Sequence, residues 1–229
     1  MIKDLIFDLD DTLVKTNRHY INTEHFFVNL FTDFSNINKN EILEMIKEED
    51  MKLIKSHKYG YHWYRDGLIE VYKRLCEKYN IQIENLVMKL NNKVEEEFLA
   101  EPELWDNALK VIEHFHRQNY DLYIMTLGEY DVQMPKIEKA GIKKFFKKIF
   151  IVSRKDDKDY ADMISHAGLI PSRSYFIGNS IYSDIIPAKR AGFNCVLFDK
   201  FTTFYNIKIE IPENVTIIKD LNELIEIIK

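Results

Sequence analysis

Five short apolar runs constrain this chain most: Leu5–Leu9, Leu122–Met125, Ile149–Val152, Tyr175–Ile177 and Cys195–Phe198. Each is too short for a buried helix and is bounded by polar or glycine-containing turns. That is the pattern of a strand buried on both faces. Helical segments fall between them, through Val132–Ala140, Asp159–Ala167 and Ile181–Ala191, and are followed by Gly141, Gly168 and Gly192. Glycine just beyond a helix takes the left-handed conformation that ends it. Strands alternating with single helices predict an α/β fold: a three-layer, Rossmann-like core around a central parallel sheet.

The rhythm breaks after the first run. From Lys15 to about Leu99 no strand pattern occurs. Phe27, Leu30, Phe31 and Phe34, then Tyr61, Tyr64, Leu68, Val71, Tyr72 and Leu75, recur at helical spacing. Residues 15–99 therefore read as an inserted all-helical unit, with 1–14 and 100–229 forming the α/β core. Glu101-Pro102 reads as a hinge, so the segments near Lys15 and Ala100–Glu103 would be the crossing points.

Composition narrows the partners. The 229 residues are 46 % apolar and 30 % charged, which excludes a disordered chain. A net charge of −5 gives no reason to expect nucleic acid. Cys76 and Cys195 sit apart in apolar runs, without metal-finger spacing, and read as reduced, buried thiols. No apolar stretch reaches the roughly 18 residues of a membrane span. The first residues lead directly into an apolar run holding Asp8, unlike a signal peptide. A cytoplasmic protein without membrane partners is expected. The seven histidines show no ligand spacing.

In open α/β sheets, ligands bind outside the carboxyl ends of the strands. Asp8-Leu9-Asp10-Asp11-Thr12 follows the first run, Thr126-Leu127-Gly128 the second, Lys155 the third, and Gly178-Asn179-Ser180 with Asp184 the fourth. Two carboxylates at i and i+2 in one crevice are costly unless a cation neutralises them. Oxygen ligands select a hard cation, Mg²⁺. A nearby lysine favours an anionic substrate, and a hydroxyl with backbone N–H groups after the second strand can cradle phosphate. The ensemble reads as a phosphoryl-transfer site.

Asp8-Leu9-Asp10-Asp11-Thr12 resembles the DxDxT motif of the haloacid dehalogenase superfamily, in its phosphatase branch. Thr126 is similar to the family's second motif, Lys155 to its third, and Gly178-Asn179-Ser180 with Asp184 to its fourth. The helical insert resembles the family's cap. The resemblance implies that Asp8 is the nucleophile and that Asp10 protonates the leaving alcohol, then activates water. It implies Mg²⁺ on Asp8, the Asp10 main-chain carbonyl, Asn179 and Asp184. Thr126 with the amides of Leu127 and Gly128 would hold the phosphoryl oxygens, and Lys155 would offset charge. An acid at position 10 argues against dehalogenation, since the family's dehalogenases lack it.

The substrate expected is a small phosphorylated metabolite: a nucleotide, a sugar phosphate or phosphoglycolate. A phosphomutase with the same nucleophile, and a phosphate- or partner-binding module without turnover, are the alternatives. The oligomeric state stays open. Ser180 and Ser183 read as helix caps, and Lys158 as a weaker candidate than Lys155. His57, Tyr59, Tyr61, His62, Trp63, Tyr64 and Arg65 could form a substrate-facing wall, but Tyr61 and Tyr64 share a face with Leu68 and read as core. Lys136, Lys139, Lys143, Lys144, Lys147 and Lys148 read as a solvated surface.

Asn179 stands where the family usually has Asp, which removes one negative charge from the cation site. Asn179→Asp is expected to lower the half-saturating Mg²⁺ concentration of the reaction, read from activity titrated against Mg²⁺. An unchanged midpoint would refute the assignment.

Overall fold

The computed structural model describes residues 4–34, 36–56, 60–200 and 210–229. The chain divides into two compact units, one of Met1–Lys15 with Glu101–Lys229 and one of Thr16–Ala100. The boundaries lie one residue beyond those read from the sequence.

In chain order, strand β1 (Asp4–Phe7) precedes four helices, α1 (Asn17–Asn29), α2 (Lys39–Lys55), α3 (Tyr61–Tyr79) and α4 (Leu86–Phe98). Then follow α5 (Ala108–Arg117), β2 (Asp121–Leu127), α6 (Tyr130–Lys139), β3 (Lys148–Val152), α7 (Asp157–Ala167) and β4 (Ser174–Gly178). The chain continues with α8 (Ile186–Arg190), β5 (Asn194–Phe198), β6 (Thr216–Ile218) and α9 (Leu224–Ile227). The strands form one sheet in the order β3-β2-β1-β4-β5-β6, with every pairing parallel.

Side chains alternate across this sheet with period two. Leu5 and Phe7 of β1, Leu122 and Ile124 of β2, and Val196 and Phe198 of β5 join one buried cluster with Val111, Ile112 and Phe115 of α5. Ile6, Tyr123, Met125, Cys195 and Leu197 point the other way, to Tyr160 and Met163 of α7. Both faces of the sheet are thus covered, which is why its strands read as continuous apolar runs.

Four local expectations needed correction. β1 ends at Phe7, because the chain turns back on Leu9: its carbonyl accepts from the N–H groups of Leu13 and Val14. Leu9 is still buried in the core, so its apolar character did not signal strand. The segment Ile181–Ala191 is a π turn over Ile181–Ile185 followed by α8. Pro187 sits in the first turn of α8, where its missing N–H cannot continue the preceding ladder. β6 escaped notice because its three residues, Thr216–Ile218, are too few to show a period. The amphipathic α5 was also missed.

The two chain crossings out of the core run side by side. Val14 and Leu104 form an antiparallel bridge, and Lys15 N–H donates to the Glu103 carbonyl at 2.8 Å. Lys15 Nζ also pairs with Glu103 Oε1 at 2.6 Å. The Thr16–Ala100 unit is helical throughout its regular elements. Its core includes Phe27, Leu68, Val71, Leu75, Leu90 and Val94. Tyr61 and Tyr64 are buried, and both rings meet Phe98, at centroid distances of 5.8 and 6.1 Å. They are packing residues. His57 and Tyr59 lie outside the described residues. Arg65 pairs with Asp66, and Trp63 is exposed. Among the described residues no helix is long and apolar enough to cross a membrane.

Within the helical unit, Glu24 is pushed up to about 7, first by burial and then by the charge of Asp50. Its folded pKa lies above the ordinary 4.5, so the fold binds the proton more tightly than the unfolded chain. Stability from this residue is fully present below about pH 4.5 and is lost as pH rises through about 7. Glu24→Gln should therefore raise the melting temperature at pH 8 and change it much less at pH 5. Paired thermal melts check this, and an equal shift at both values would refute it.

Candidate active site

The expected residues converge on the carboxyl ends of β1, β2, β3 and β4. Asp8 is the first residue past β1, and its N–H still donates to the Ile177 carbonyl at 2.9 Å. That bond extends the sheet pairing and fixes the Asp8 backbone. Its side chain is buried. Asp8 Oδ1 accepts from Lys155 Nζ at 2.5 Å, and Oδ2 from Thr12 Oγ1 at 2.9 Å. Thr12 returns to this position because Asp11 takes a left-handed φ of 59° inside the tight loop. The same hydroxyl lies 3.3 Å from Asn179 Oδ1.

Lys155 Nζ bridges a second carboxylate, Asp184 Oδ1, at 2.6 Å. The ammonium is 1 % exposed, as is Asp184. Lys155 itself holds φ at 53°, a strained value for a lysine, between β3 and α7. Lys158, by contrast, is exposed on α7.

The π turn places Asp184. The N–H groups of both Asp184 and Ile185 donate to the Ser180 carbonyl at 3.0 Å, and Ser180 N–H returns a 2.9 Å bond to Asp184 Oδ2. Ser180 Oγ caps the turn by accepting from Ser183 N–H. Tyr160 of α7 buttresses it, donating to the Asp184 carbonyl at 3.1 Å. A Cβ on Gly178 would fall 2.5 Å from Asp184 Oδ2. Only glycine lets the carboxylate lie against the end of β4.

Two buried carboxylates face one buried ammonium, so the formal charge of the trio is −2 + 1 = −1. Burial is the largest influence on Asp8 and pushes its carboxyl up to about 7, opposed by Lys155 and reinforced by Asp184. Burial also works against the Lys155 charge, but Asp184 and Asp8 outweigh it and raise its pKa. The cluster lacks one positive charge.

Among the described residues, no three His, Cys, Asp or Glu side chains are grouped to hold a metal ion. The trio holds two carboxylates, Asp8 and Asp184, joined by Lys155, and the neighbouring oxygen donor, Asn179, is an amide. The remaining donor set is nonetheless one of hard oxygens, from Asp8, Asn179 and Asp184, beside an uncompensated negative charge. That chemistry fits a divalent cation such as Mg²⁺.

Asp10 lies near enough to Asp8 for its charge to raise the Asp8 pKa. Its carboxylate meets α6: Oδ1 accepts from Lys136 Nζ and Oδ2 from Gln133 Nε2, both at 2.6 Å. Lys136 thus leaves the solvated surface assigned to it, while Lys143 and Lys147 keep exposed partners, Glu138 and Asp121. Gln133 was missed altogether. The available signal was a polar residue on the apolar side of α6, one turn before Lys136.

Thr126 is buried, and its hydroxyl accepts from Gln133 Nε2 at 3.0 Å. The Leu127 carbonyl accepts from the same nitrogen at 2.6 Å. The Gly128 N–H donates to the Val152 carbonyl at 3.0 Å, so it is not available to a phosphoryl oxygen in this structure. The pairing of β2 with β3 runs to Leu127, two residues past the expected end at Met125, and the next amide is taken as well.

The model of the haloacid dehalogenase-like hydrolase family matches residues 5–198. The chain belongs to this family. A glyceraldehyde 3-phosphate phosphatase of Pyrococcus furiosus is 26 % identical over 240 residues, covering 100 % of this chain and 93 % of the relative. A haloacid dehalogenase-like hydrolase of Xanthomonas campestris shares the fold with a TM-score of 0.79 at 22 % identity, over 96 % of this chain and 88 % of that one. A magnesium-bound HAD-family hydrolase of Bacillus subtilis does so with a TM-score of 0.67 at 22 % identity, over 100 % and 99 % of the chains.

Gly178→Ala should displace Asp184 and strand Lys155 with one partner. We expect a loss of about 1–3 kcal/mol in unfolding free energy from the steric misfit. Urea denaturation measures it, and a neutral result would show that the end of β4 can yield.

Proposed function

We propose that this protein is a Mg²⁺-dependent phosphatase of small phosphate monoesters that works through an aspartyl-phosphate. One observation carries the reading: Asp8, buried at the end of β1, is held between Lys155 and Thr12, with a second acid, Asp10, two residues on. Its family membership and the activity named for the Pyrococcus relative support it.

In the first step an Asp8 carboxylate oxygen attacks phosphorus, and the bond from phosphorus to the leaving oxygen breaks. Asp10 gives that oxygen its proton. In the second step Asp10 takes a proton from water, the water oxygen attacks phosphorus, and Asp8 is released as carboxylate. Thr12 and Lys155 orient the nucleophile throughout. Lys155 also balances charge gathered between Asp8 and the phosphoryl group, and Thr126 offers a hydroxyl to its oxygens. Asp8, Asn179, Asp184 and the Asp10 main-chain carbonyl would hold Mg²⁺, which when bound supplies positive charge against the phosphoryl oxygens. Electrostatic stabilisation must provide most of the barrier reduction, on the order of 20 kcal/mol for a phosphate monoester.

The Thr16–Ala100 unit would serve as the cap that selects the leaving group and excludes bulk water. Phosphorylated short-chain metabolites such as glyceraldehyde 3-phosphate and phosphoglycolate, with nucleotides and sugar phosphates, form the substrate class to screen.

Released phosphate from p-nitrophenyl phosphate and from that panel tests the reading. Asp8→Asn should lower the rate at least about 10³-fold on every substrate, and Asp10→Asn should lower kcat/KM for the alkyl phosphates about 10²–10⁴-fold. EDTA should abolish turnover and added Mg²⁺ restore it. Absence of phosphate release at millimolar Mg²⁺ would favour a binding module. Transfer of phosphate to a second hydroxyl without release would favour a phosphomutase.

A further inference from the structure

Two side chains of α6 hold the Asp10 carboxylate. Lys136 takes Oδ1 and Gln133 takes Oδ2, each at 2.6 Å, from positions one turn apart on α6. Gln133 is only 3 % exposed, and its Nε2 faces two more acceptors, the Leu127 carbonyl at 2.6 Å and Thr126 Oγ1 at 3.0 Å. One amide nitrogen with two hydrogens therefore serves three oxygens.

Its other end is left wanting. Gln133 Oε1 is buried with no hydrogen-bond partner. Turning the amide over would aim that oxygen at the oxygens of Asp10 and Leu127, with only the Thr126 hydroxyl able to donate to it, and would strand the amide hydrogens where the oxygen now lies. The orphaned acceptor is the consequence of holding the nitrogen where it is. A buried, unsatisfied polar atom calls for an explanation, and service to a site is one. Gly128 makes room for this arrangement: a Cβ there would lie 3.0 Å from Gln133 Cγ.

We propose that Gln133 and Lys136 are positioning residues that fix the Asp10 carboxyl group, with Gln133 also tying it to Thr126 and the end of β2. This rests on the reading of Asp10 as proton donor. Asp10 sits in a loop, with its side chain 31 % exposed, so its own backbone does not dictate one rotamer. A general acid acts only within hydrogen-bond reach of the leaving oxygen. A carboxyl oxygen has two lone pairs, so one that faces a donor can still carry the proton. When that proton passes to the leaving oxygen, the carboxylate left behind already faces two donors.

Leaving-group dependence tests this. An alkyl phosphate expels an alkoxide and needs the proton, whereas p-nitrophenyl phosphate expels a stable anion and needs it little. The comparison uses kcat/KM, which covers the steps through the first phosphoryl transfer. The alkyl substrate is whichever of glyceraldehyde 3-phosphate, glycerol 3-phosphate and phosphoglycolate the wild type hydrolyses fastest. Lys136→Met and Gln133→Met should lower kcat/KM for it about 10–100-fold. Loss on p-nitrophenyl phosphate should stay within about threefold, because that step makes little use of the acid. Lys136→Arg should restore most of the alkyl rate. Circular dichroism and melting temperature confirm folding, and Lys136→Gln replaces any methionine variant that fails to fold. Equal losses on both substrates, or no loss on either, would overturn the positioning role while leaving the phosphatase reading intact. A wild type that hydrolyses neither substrate would overturn both.

Discussion

The Lys155 ammonium between Asp8 and Asp184 is the interaction on which the arrangement of this molecule depends. A buried carboxylate pair would repel itself, and a buried lysine would lose its charge to desolvation. Together the three are tolerable, yet still one positive charge short. Replacing such a cluster by apolar side chains is often neutral or stabilising in other proteins. Its presence therefore argues for function more than for stability. It explains the strained backbone of Lys155, the glycine at the end of β4 and the π turn that follows it. The first places Lys155 after β3, and the other two place Asp184 after β4, at one point.

Around that cluster the scaffold is rigid by construction. Parallel strands carry Asp8 and Asn179 at neighbouring ends, because β1 lies between β2 and β4. The Asp8 N–H continues the pairing with β4 one step past the strand, so the backbone of the proposed nucleophile belongs to the sheet. Through their hydroxyl groups Thr12 ties its loop to Asp8, Thr126 joins β2 to Gln133 of α6, and Tyr160 joins α7 to the π turn. Asp10 is the exception, standing in a loop with its carboxylate on Lys136 and Gln133 of α6. Under the proposed mechanism the division is chemically sensible: a nucleophile must be fixed relative to phosphorus, whereas a proton donor must meet the oxygen of a variable leaving group.

The π turn and Pro187 illustrate how a local irregularity becomes a site. A regular helix starting at Ile181 would not bond Ser180 to Ile185 across five residues. The widened turn lets Ser180 N–H reach back to Asp184 Oδ2 while Oδ1 faces Lys155. Pro187 separates this turn from α8, and Tyr160 fills the space beneath it from the neighbouring helix. π turns occur disproportionately at functional positions, and here the carboxylate it presents is the reason.

Much of this was legible in the residues alone. Short apolar runs, the glycines after α6 and α7 and the helical spacing of Phe27 through Leu75 are local patterns, written in neighbours along the chain. The Asp8-to-Thr12 spacing is local too, and so were the buried fates of Tyr61 and Tyr64. By itself the sequence determined the parallel sheet, the helical insert and which strand ends carry acids, a hydroxyl and a lysine. Tertiary structure decided what those groups touch. Gln133 and Lys136 lie more than a hundred residues from Asp10, and a lysine on a helix looks the same whether it faces water or a carboxylate. Likewise Gly128 resembled a free amide until the pairing of β2 with β3 claimed it. Periodicity reports which residues are buried; only the docking of one element on another sets the partner and the distance.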